Sequence, residues 1–197
     1  MGTWKSRGLR GSLLEEELNQ TIALYREKNL ALIQKIPTPI TPIELDKSHK
    51  QITLAYFDRK STVDYVGVVQ GIPVCFDAKE CHKDSLPLQN LHAHQMAFMQ
   101  DFMKQGGISF IILSFTQRNE IYYVPFRELL RFTKRMEEGG KKSFRYDELE
   151  CSHRIYRKKD LLVHFLEALN EDILLLNECQ KLSIMDKDKS SWTYKFM

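Results

Sequence analysis

The sequence is short of cysteine, glycine and proline, has no long apolar run, and carries almost no excess of charge. Each shortage excludes something. Four cysteines in 197 residues, at positions 75, 81, 151 and 179, are too sparse for a disulfide framework. The longest apolar run, Gly106 to Phe115, is ten residues, and a membrane-spanning helix needs about 20. No apolar stretch of the secretory kind follows the basic start that includes Lys5, Arg7 and Arg10. A soluble cytoplasmic protein that avoids membranes is therefore the expectation. A formal net charge of +3 excludes a histone-like polycation. It leaves nucleic-acid binding open, because binding depends on where the charge sits. Hydrophobic residues at 43% suffice for a buried core and are too many for a disordered chain. At roughly 150 residues per domain, the length fits one domain with an extension, or two very small ones.

The first helix starts where Ser12 precedes Leu13, Leu14, Leu18, Ile22 and Tyr25 at helical spacing. Ser12-x-x-Glu15 reads as a capping box. Leu30 to Ile36 reads as a short strand. Pro37, Pro39 and Pro42 then exclude a central ladder, so this segment is an edge or an excursion. Ile43 to Leu45 and Gln51 to Phe57 suit the two arms of a protruding hairpin with a polar, basic tip. Farther on, Cys81 to Asn90 reads as a polar loop and Leu91 to Gln105 as a helix closed by Gly106-Gly107. Ile108 to Phe115 reads as a buried strand, Ile121 to Val124 as another and Phe126 to Glu138 as a helix. The C-terminal part reads as helical around Leu161 to Leu176, and Asp186 to Met197 as a polar tail.

The stretch from Ser61 to Glu80 carries the chemistry. Two alternating runs flank Gln70-Gly71, which suggests a β-hairpin. Centring the turn there places Asp64 opposite Asp77 and Thr62 opposite Lys79, all four on one face. Val63, Tyr65, Val69, Ile72, Val74, Phe76 and Ala78 take the other face, as core. Opposed carboxylates cost a strand pair up to about 1 kcal/mol, which a divalent cation between them would offset. Hard oxygen ligands suit Mg2+ or Mn2+. A lysine two residues from Asp77 on the same face suits phosphodiester hydrolysis, where added negative charge must be stabilised. The pattern Asp-x12-Asp-x-Lys also fits plain solvent-facing charge. Gln95 is the polar member of the stripe Leu91, Gln95, Phe98 and Phe102. It is either a helix-edge glutamine or a fourth ligand facing the hairpin.

These residues resemble the RecU-type Holliday junction resolvases. The matching stretches are Arg10-Gly11-x-x-Leu14-Glu15-x-x-Leu18-Asn19, Pro37-Thr38-Pro39, Ala55-Tyr56-Phe57 and Thr62-x-Asp64-Tyr65-x-Gly67. Phe76-x-Ala78-Lys79-Glu80 and Pro87-Leu88-Gln89-Asn90-x-His92-x-His94-Gln95 follow in order. The resemblance implies a restriction-endonuclease-like α/β fold with a mixed central β-sheet flanked by helices and a protruding hairpin stalk at about 37–60. The nuclease domain would span residues 1–170, with a C-terminal extension over 171–197. It implies a Mg2+-dependent homodimeric endonuclease that resolves four-way DNA junctions by paired nicks in recombination and repair, with Mn2+ able to substitute. A recombinase and a branch-migration motor are implied partners. Positions matching Thr62, Asp64, Asp77 and Gln95 hold metal in the family, and the one matching Lys79 stabilises the transition state. The family usually has Glu where this chain has Asp77, which is one methylene shorter. A duplex nuclease and a non-catalytic junction-binding scaffold stay open as alternatives.

Other residues divide between two readings. Glu15 is either an accessory acid near the metal or only the capping residue. Arg7, Arg10, Lys47, Lys50 and Lys60 are the candidate DNA contacts, because the resemblance places the N-terminus and stalk against the junction. Residues 127–160 carry eleven Lys+Arg against seven Asp+Glu, which is either a solvated face or a DNA-facing one. His92, His94, Cys75 and Cys81 lack zinc-ligand spacing. Gly139-Gly140-Lys141-Lys142-Ser143 lacks the phosphate-loop pattern and reads as a turn with exposed lysines.

Overall fold

Alternation in the strands sets the layers of the molecule. The computed structural model describes residues 12–57, 62–150, 153–158 and 161–187. The central sheet has six strands in the order β1, β4, β5, β7, β8, β10. These are β1 (Ala31–Lys35), β4 (Tyr65–Val69), β5 (Ile72–Cys81), β7 (Ile108–Phe115), β8 (Glu120–Pro125) and β10 (Arg154–Ile155). All neighbours run antiparallel except β5 and β7, which are parallel. A parallel pair needs a crossover, and helix α2 (Ala93–Lys104) lies within it. The mixed α/β architecture is the expected one.

Successive residues of β7 feed opposite cores. Ile108, Phe110 and Ile112 join one cluster with Leu14, Leu18, Ile22 and Tyr25 of helix α1 (Leu13–Glu27). Val163, Phe165, Ala168 and Leu169, at and before the start of helix α4 (Leu166–Lys187), close that face. Ile111, Leu113 and Phe115 join the other cluster with Met99 of α2 and Phe126, Leu129 and Phe132 of helix α3 (Phe126–Glu137). Both faces of the sheet are thus covered, which explains why β7 reads as a continuous apolar run. On the α1 side a ladder of rings crosses four strands. Tyr65 and Phe76 are 4.8 Å apart, Phe76 and Phe110 4.7 Å, and Phe110 and Tyr123 4.4 Å. Such ring pairs add about 0.5–1.5 kcal/mol each beyond burial.

The stalk is present. Strands β2 (Ile40–Asp46) and β3 (Gln51–Phe57) form a separate two-stranded hairpin. Pro42 lies inside β2, and the register shifts between Pro42 and Glu44, as expected where a ladder donor is missing. At the hairpin that reads as the site, the register is the predicted one, with Tyr65 opposite Phe76 and Val69 opposite Ile72. Gln70 and Gly71 both have positive φ, 48° and 87°, the requirement of a type I′ turn.

Four expectations change. Val63 belongs to the α2-side cluster rather than to the core of Tyr65, because it lies in the bent segment before β4 and escapes strict alternation. Cys81 to Asn90 is not simply a polar loop. It contains strand β6 (Ser85–Pro87), paired with β9 (Ser143–Arg145), and a 3-10 turn over Leu88–Asn90. Leu86 and Leu88 are buried there, and two isolated leucines give no periodicity to read. The last helix begins at Leu166 rather than Leu161 and runs to Lys187, across the 170/171 boundary. The capping box is half made. Ser12 accepts from the Glu15 amide at 3.2 Å, but the Glu15 carboxylate turns to Lys35 instead. The orphan Leu14 amide is taken by Glu80 Oε1 at 2.9 Å, across the fold from β5.

Candidate active site

Asp77 sits in the middle of β5, an interior strand, with its side chain on the α2 face and 1% exposed. Cys75 is buried in the same cluster as α2, while Val74 and Phe76 point into the other core. The ladder of rings on the far side therefore fixes where the carboxylate emerges. Asp64 immediately precedes β4. Its backbone carbonyl accepts from the Ile36 amide at 2.8 Å, so the foot of the stalk is tied to the site.

The two aspartates interlock. The Asp64 amide donates to Asp77 Oδ1 at 2.9 Å, and the Ala78 amide donates to Asp64 Oδ2 at 3.0 Å. Lys79 Nζ donates to Asp77 Oδ2 at 2.7 Å and to Gln95 Oε1 at 3.1 Å. Gln95, 8% exposed on α2, is thus the residue facing the hairpin, and the helix-edge reading falls. Burial, and then the charge of Asp77, push the Asp64 carboxyl up to about 6, and Glu15 adds to the push. The Ala78 amide and Lys79 act against it. Glu15 is therefore close enough to feel the site, while its carboxylate pairs with Lys35 Nζ at 2.7 Å.

Thr62 is exposed. Among the described residues no hydrogen bond joins it to the other members. The structure brings together Asp64, Asp77, Lys79 and Gln95, and leaves Thr62 at the rim. Lys47 and Lys50 stand exposed at the stalk tip. Arg7, Arg10 and Lys60 lie outside the described residues. Two supporting residues escaped the sequence reading. Lys35 holds Glu15, and Glu80 caps α1; the only hints were a lysine just before Pro37 and an acid beside Lys79.

A buried and a half-buried carboxylate at close quarters, the second with its pKa driven upward, form a pair that a cation would stabilise. Among the described residues no cluster of three or more His, Cys, Asp or Glu gathers for a metal. The donor set is two carboxylates with the amide oxygen of Gln95. That fits Mg2+, which commonly binds through one or two carboxylates and keeps several waters. It does not fit zinc, which prefers nitrogen and sulfur.

The sequence matches the family of recombination protein U, RecU, over residues 9–171. The chain belongs to the RecU family. Among curated relatives, the Holliday junction resolvase RecU of Listeria welshimeri is 42% identical over 147 residues, 73% of each chain. That of a Geobacillus strain is 44% identical over the same share. That of Pediococcus pentosaceus is 39% identical over 171 residues, 84% of this chain and 85% of the relative. Among solved structures, the chain has a distant likeness to Hjc, a Holliday junction resolvase of Archaeoglobus fulgidus. The TM-score is 0.37 at 13% identity, covering 59% of this chain and 78% of that one. Every member of the interlocked site falls inside the RecU match, as do Glu15, Thr62 and the stalk lysines. Arg7 precedes it. The RecU match ends at residue 171, one residue before Asp172. That carboxylate is buried and accepts from Tyr123 Oη at 2.7 Å and from Arg127, so the region past the match begins packed onto the body.

Proposed function

We propose that this chain is a structure-specific endonuclease that resolves four-way DNA junctions by Mg2+-dependent phosphodiester hydrolysis. Membership of the RecU family supports the substrate. One observation carries the chemistry: the interlocked pair of half-buried Asp64 and buried Asp77, with Lys79 held between Asp77 and Gln95. When bound, Mg2+ or Mn2+ would neutralise phosphate oxygens and lower the pKa of an attacking water. Asp64, Asp77 and Gln95 would hold it, with Thr62 at the rim.

The residues of the chain do the rest. Lys79 is a cation beside the place where a phosphate must sit, and its charge offsets the extra negative charge of the transition state. Asp77 and Gln95 hold its ammonium from two sides, so little reorganisation accompanies the reaction. The Ala78 amide keeps Asp64 oriented. Covering by α2 keeps bulk water from screening these charges. Symmetrical resolution needs nicks in two opposing strands, hence two copies of the site related by a two-fold axis. A homodimer is the simplest assembly that supplies them.

The test is an immobile four-way junction incubated with the purified protein in Mg2+, Mn2+ or chelator, with linear duplex of equal length in parallel. Paired nicks in opposing junction strands, with metal only, are expected. Binding without cutting in either metal would leave a scaffold, and equal cutting of the linear duplex would leave an ordinary nuclease.

A further inference from the structure

The basic stretch 127–160 looks like one positive surface in the sequence, but its charge is mostly spent internally. Arg127 pairs with Asp172, Arg131 with Glu128, Lys134 with Glu138 and Arg135 with Glu148. Arg145 pairs with Asp147, Arg154 with Glu120, Arg157 with Glu17 and Lys158 with Glu167. Among the described residues of this stretch, only Lys141 and Lys142 have no ion-pair partner. Both are fully on the surface. Of the acids near them in sequence, Glu138 is engaged by Lys134, Asp147 by Arg145 and Glu148 by Arg135.

These two lysines do not sit on a loose loop. The Gly139 amide donates to Met136 O at 3.0 Å and the Gly140 amide to Arg135 O at 2.9 Å. Gly139 has φ +87°, and a Cβ on Gly140 would meet Arg135 O at 2.8 Å, so the turn is shaped for glycine at both positions. Arg135 also donates to Ser143 O at 2.8 Å. On its other side the loop is tied to the strand leading into the active-site helix. Lys142 O accepts from the Leu88 amide at 2.9 Å, and Ser143 pairs with Pro87. From Leu88 the chain passes exposed Gln89, Asn90 and His92 to Gln95, which holds Lys79. Even fully extended, that segment spans at most about 25 Å. With about 3.4 Å of helix axis per phosphate on a strand, Leu88, to which the turn is bonded, stands within roughly seven phosphate spacings of Gln95.

We infer that the 139–142 turn is a fixed clamp for the DNA backbone of the arm being cut, with Lys141 and Lys142 contacting its phosphates. The inference rests on the junction-endonuclease reading and extends it by assigning the arm contact. Two lysines outside any ion pair, on a backbone already fixed, contact phosphates without backbone ordering cost, and they carry no sequence preference. The clamp sets how the arm lies over Lys79, whereas the stalk lies elsewhere in the molecule.

The experiment compares wild type, Lys141→Gln/Lys142→Gln and the control Lys104→Gln, whose lysine pairs with Asp101 at the far end of α2. Binding to an immobile junction and to a single duplex arm is followed by fluorescence anisotropy over a KCl series, with calcium replacing magnesium. Melting temperature checks the fold. Each lysine that contacts a phosphate lowers the slope of log affinity against log salt by about 1. The double variant is expected to lose a slope of about 2 or more on both DNAs, with an unchanged melting temperature, and the control to match wild type. An unchanged slope in the double variant overturns the clamp, as does an equal loss in the control. Failure of wild type to prefer the junction would instead strike the endonuclease reading, and the two failures are separable in one data set.

Discussion

Two of the β-hairpins in the molecule have opposite surroundings. The β4–β5 hairpin lies inside a six-stranded sheet covered on both faces, and Tyr65, Val74, Cys75 and Phe76 have no exposed surface. Among the described residues no further strand pairs with the β2–β3 hairpin, every residue of β3 is exposed, and Ile43, Leu45, Ile52, Leu54 and Phe57 face solvent. Only the first can hold a carboxylate within tenths of an ångström, because packing on both sides fixes its strands. The second can only present a surface. Geometry and presentation are thus divided between two hairpins, and at the foot of the second the Ile36 amide donates to Asp64 O.

The largest expected effect separates the two roles. Asp77→Ala removes a buried carboxylate that anchors both Asp64 and Lys79. Nicking of a junction should fall by about three orders of magnitude or more, while junction affinity in calcium stays within about threefold. Charge reversal at the stalk tip, Lys47→Glu/Lys50→Glu, should do the opposite, weakening binding by about tenfold or more with melting temperature unmoved. Loss of affinity in the Asp77 variant would erase the division of labour.

Stability gives the next contrast. Phe76→Ala opens a hole in the ring ladder and should cost about 3–5 kcal/mol, read by denaturant unfolding. Leu54→Ala on the stalk should cost no more than about 0.5 kcal/mol. A large cost at Leu54 would mean that the stalk packs against something in solution, and a second copy is the first candidate.

The same contrast decides what could be read from the sequence. The register of β4–β5 followed from alternation about Gln70-Gly71, because both strands are held on two faces and a slip would turn polar residues inward. The stalk was legible for a different reason, that its prolines exclude a central ladder. Long-range contacts were not legible. Glu80 caps a helix from across the sheet, Lys35 takes Glu15 away from its capping box, and Val63 changes face in a bend. None of these has a local signature, since each depends on how distant segments meet. The Asp64–Asp77–Lys79 constellation was visible because it is local to one hairpin. The role of Gln95 depended on a crossover helix, and the compensation of the basic run on eight separate pairings, Arg127 with Asp172 among them.

A smaller effect concerns the crowded carboxylates without metal. The Asp64 carboxyl is raised to about 6 in the folded protein from an ordinary value of 3.8. The folded state therefore binds this proton more tightly than the unfolded state. Its contribution to stability is fully present below about pH 4 and is lost as pH rises through about 6. In chelator, wild type should accordingly be less stable than Asp64→Asn at pH 7.5, by roughly 1–2 kcal/mol after solvent screening. The gap should narrow by pH 5. A gap that does not change with pH would show that Asp64 is already neutralised at pH 7.5.

The smallest effect tests the turn between the two site strands. Asn-Gly suits a type I′ turn better than Gln-Gly, yet this chain has glutamine, held at φ 48°. Its side chain supplies the reason. Gln70 Nε2 donates to Asn29 O at 2.8 Å and to Leu30 O at 3.1 Å, so the turn is bound to the loop that joins α1 to β1. Asparagine is shorter and would exchange these bonds for better local geometry. Gln70→Ala loses both advantages and should cost about 1 kcal/mol, whereas Gln70→Asn should change stability by less than about 0.5 kcal/mol. Equal losses in the two variants would mean that the reach to Asn29 and Leu30, rather than turn geometry, aligns Asp64 with Asp77.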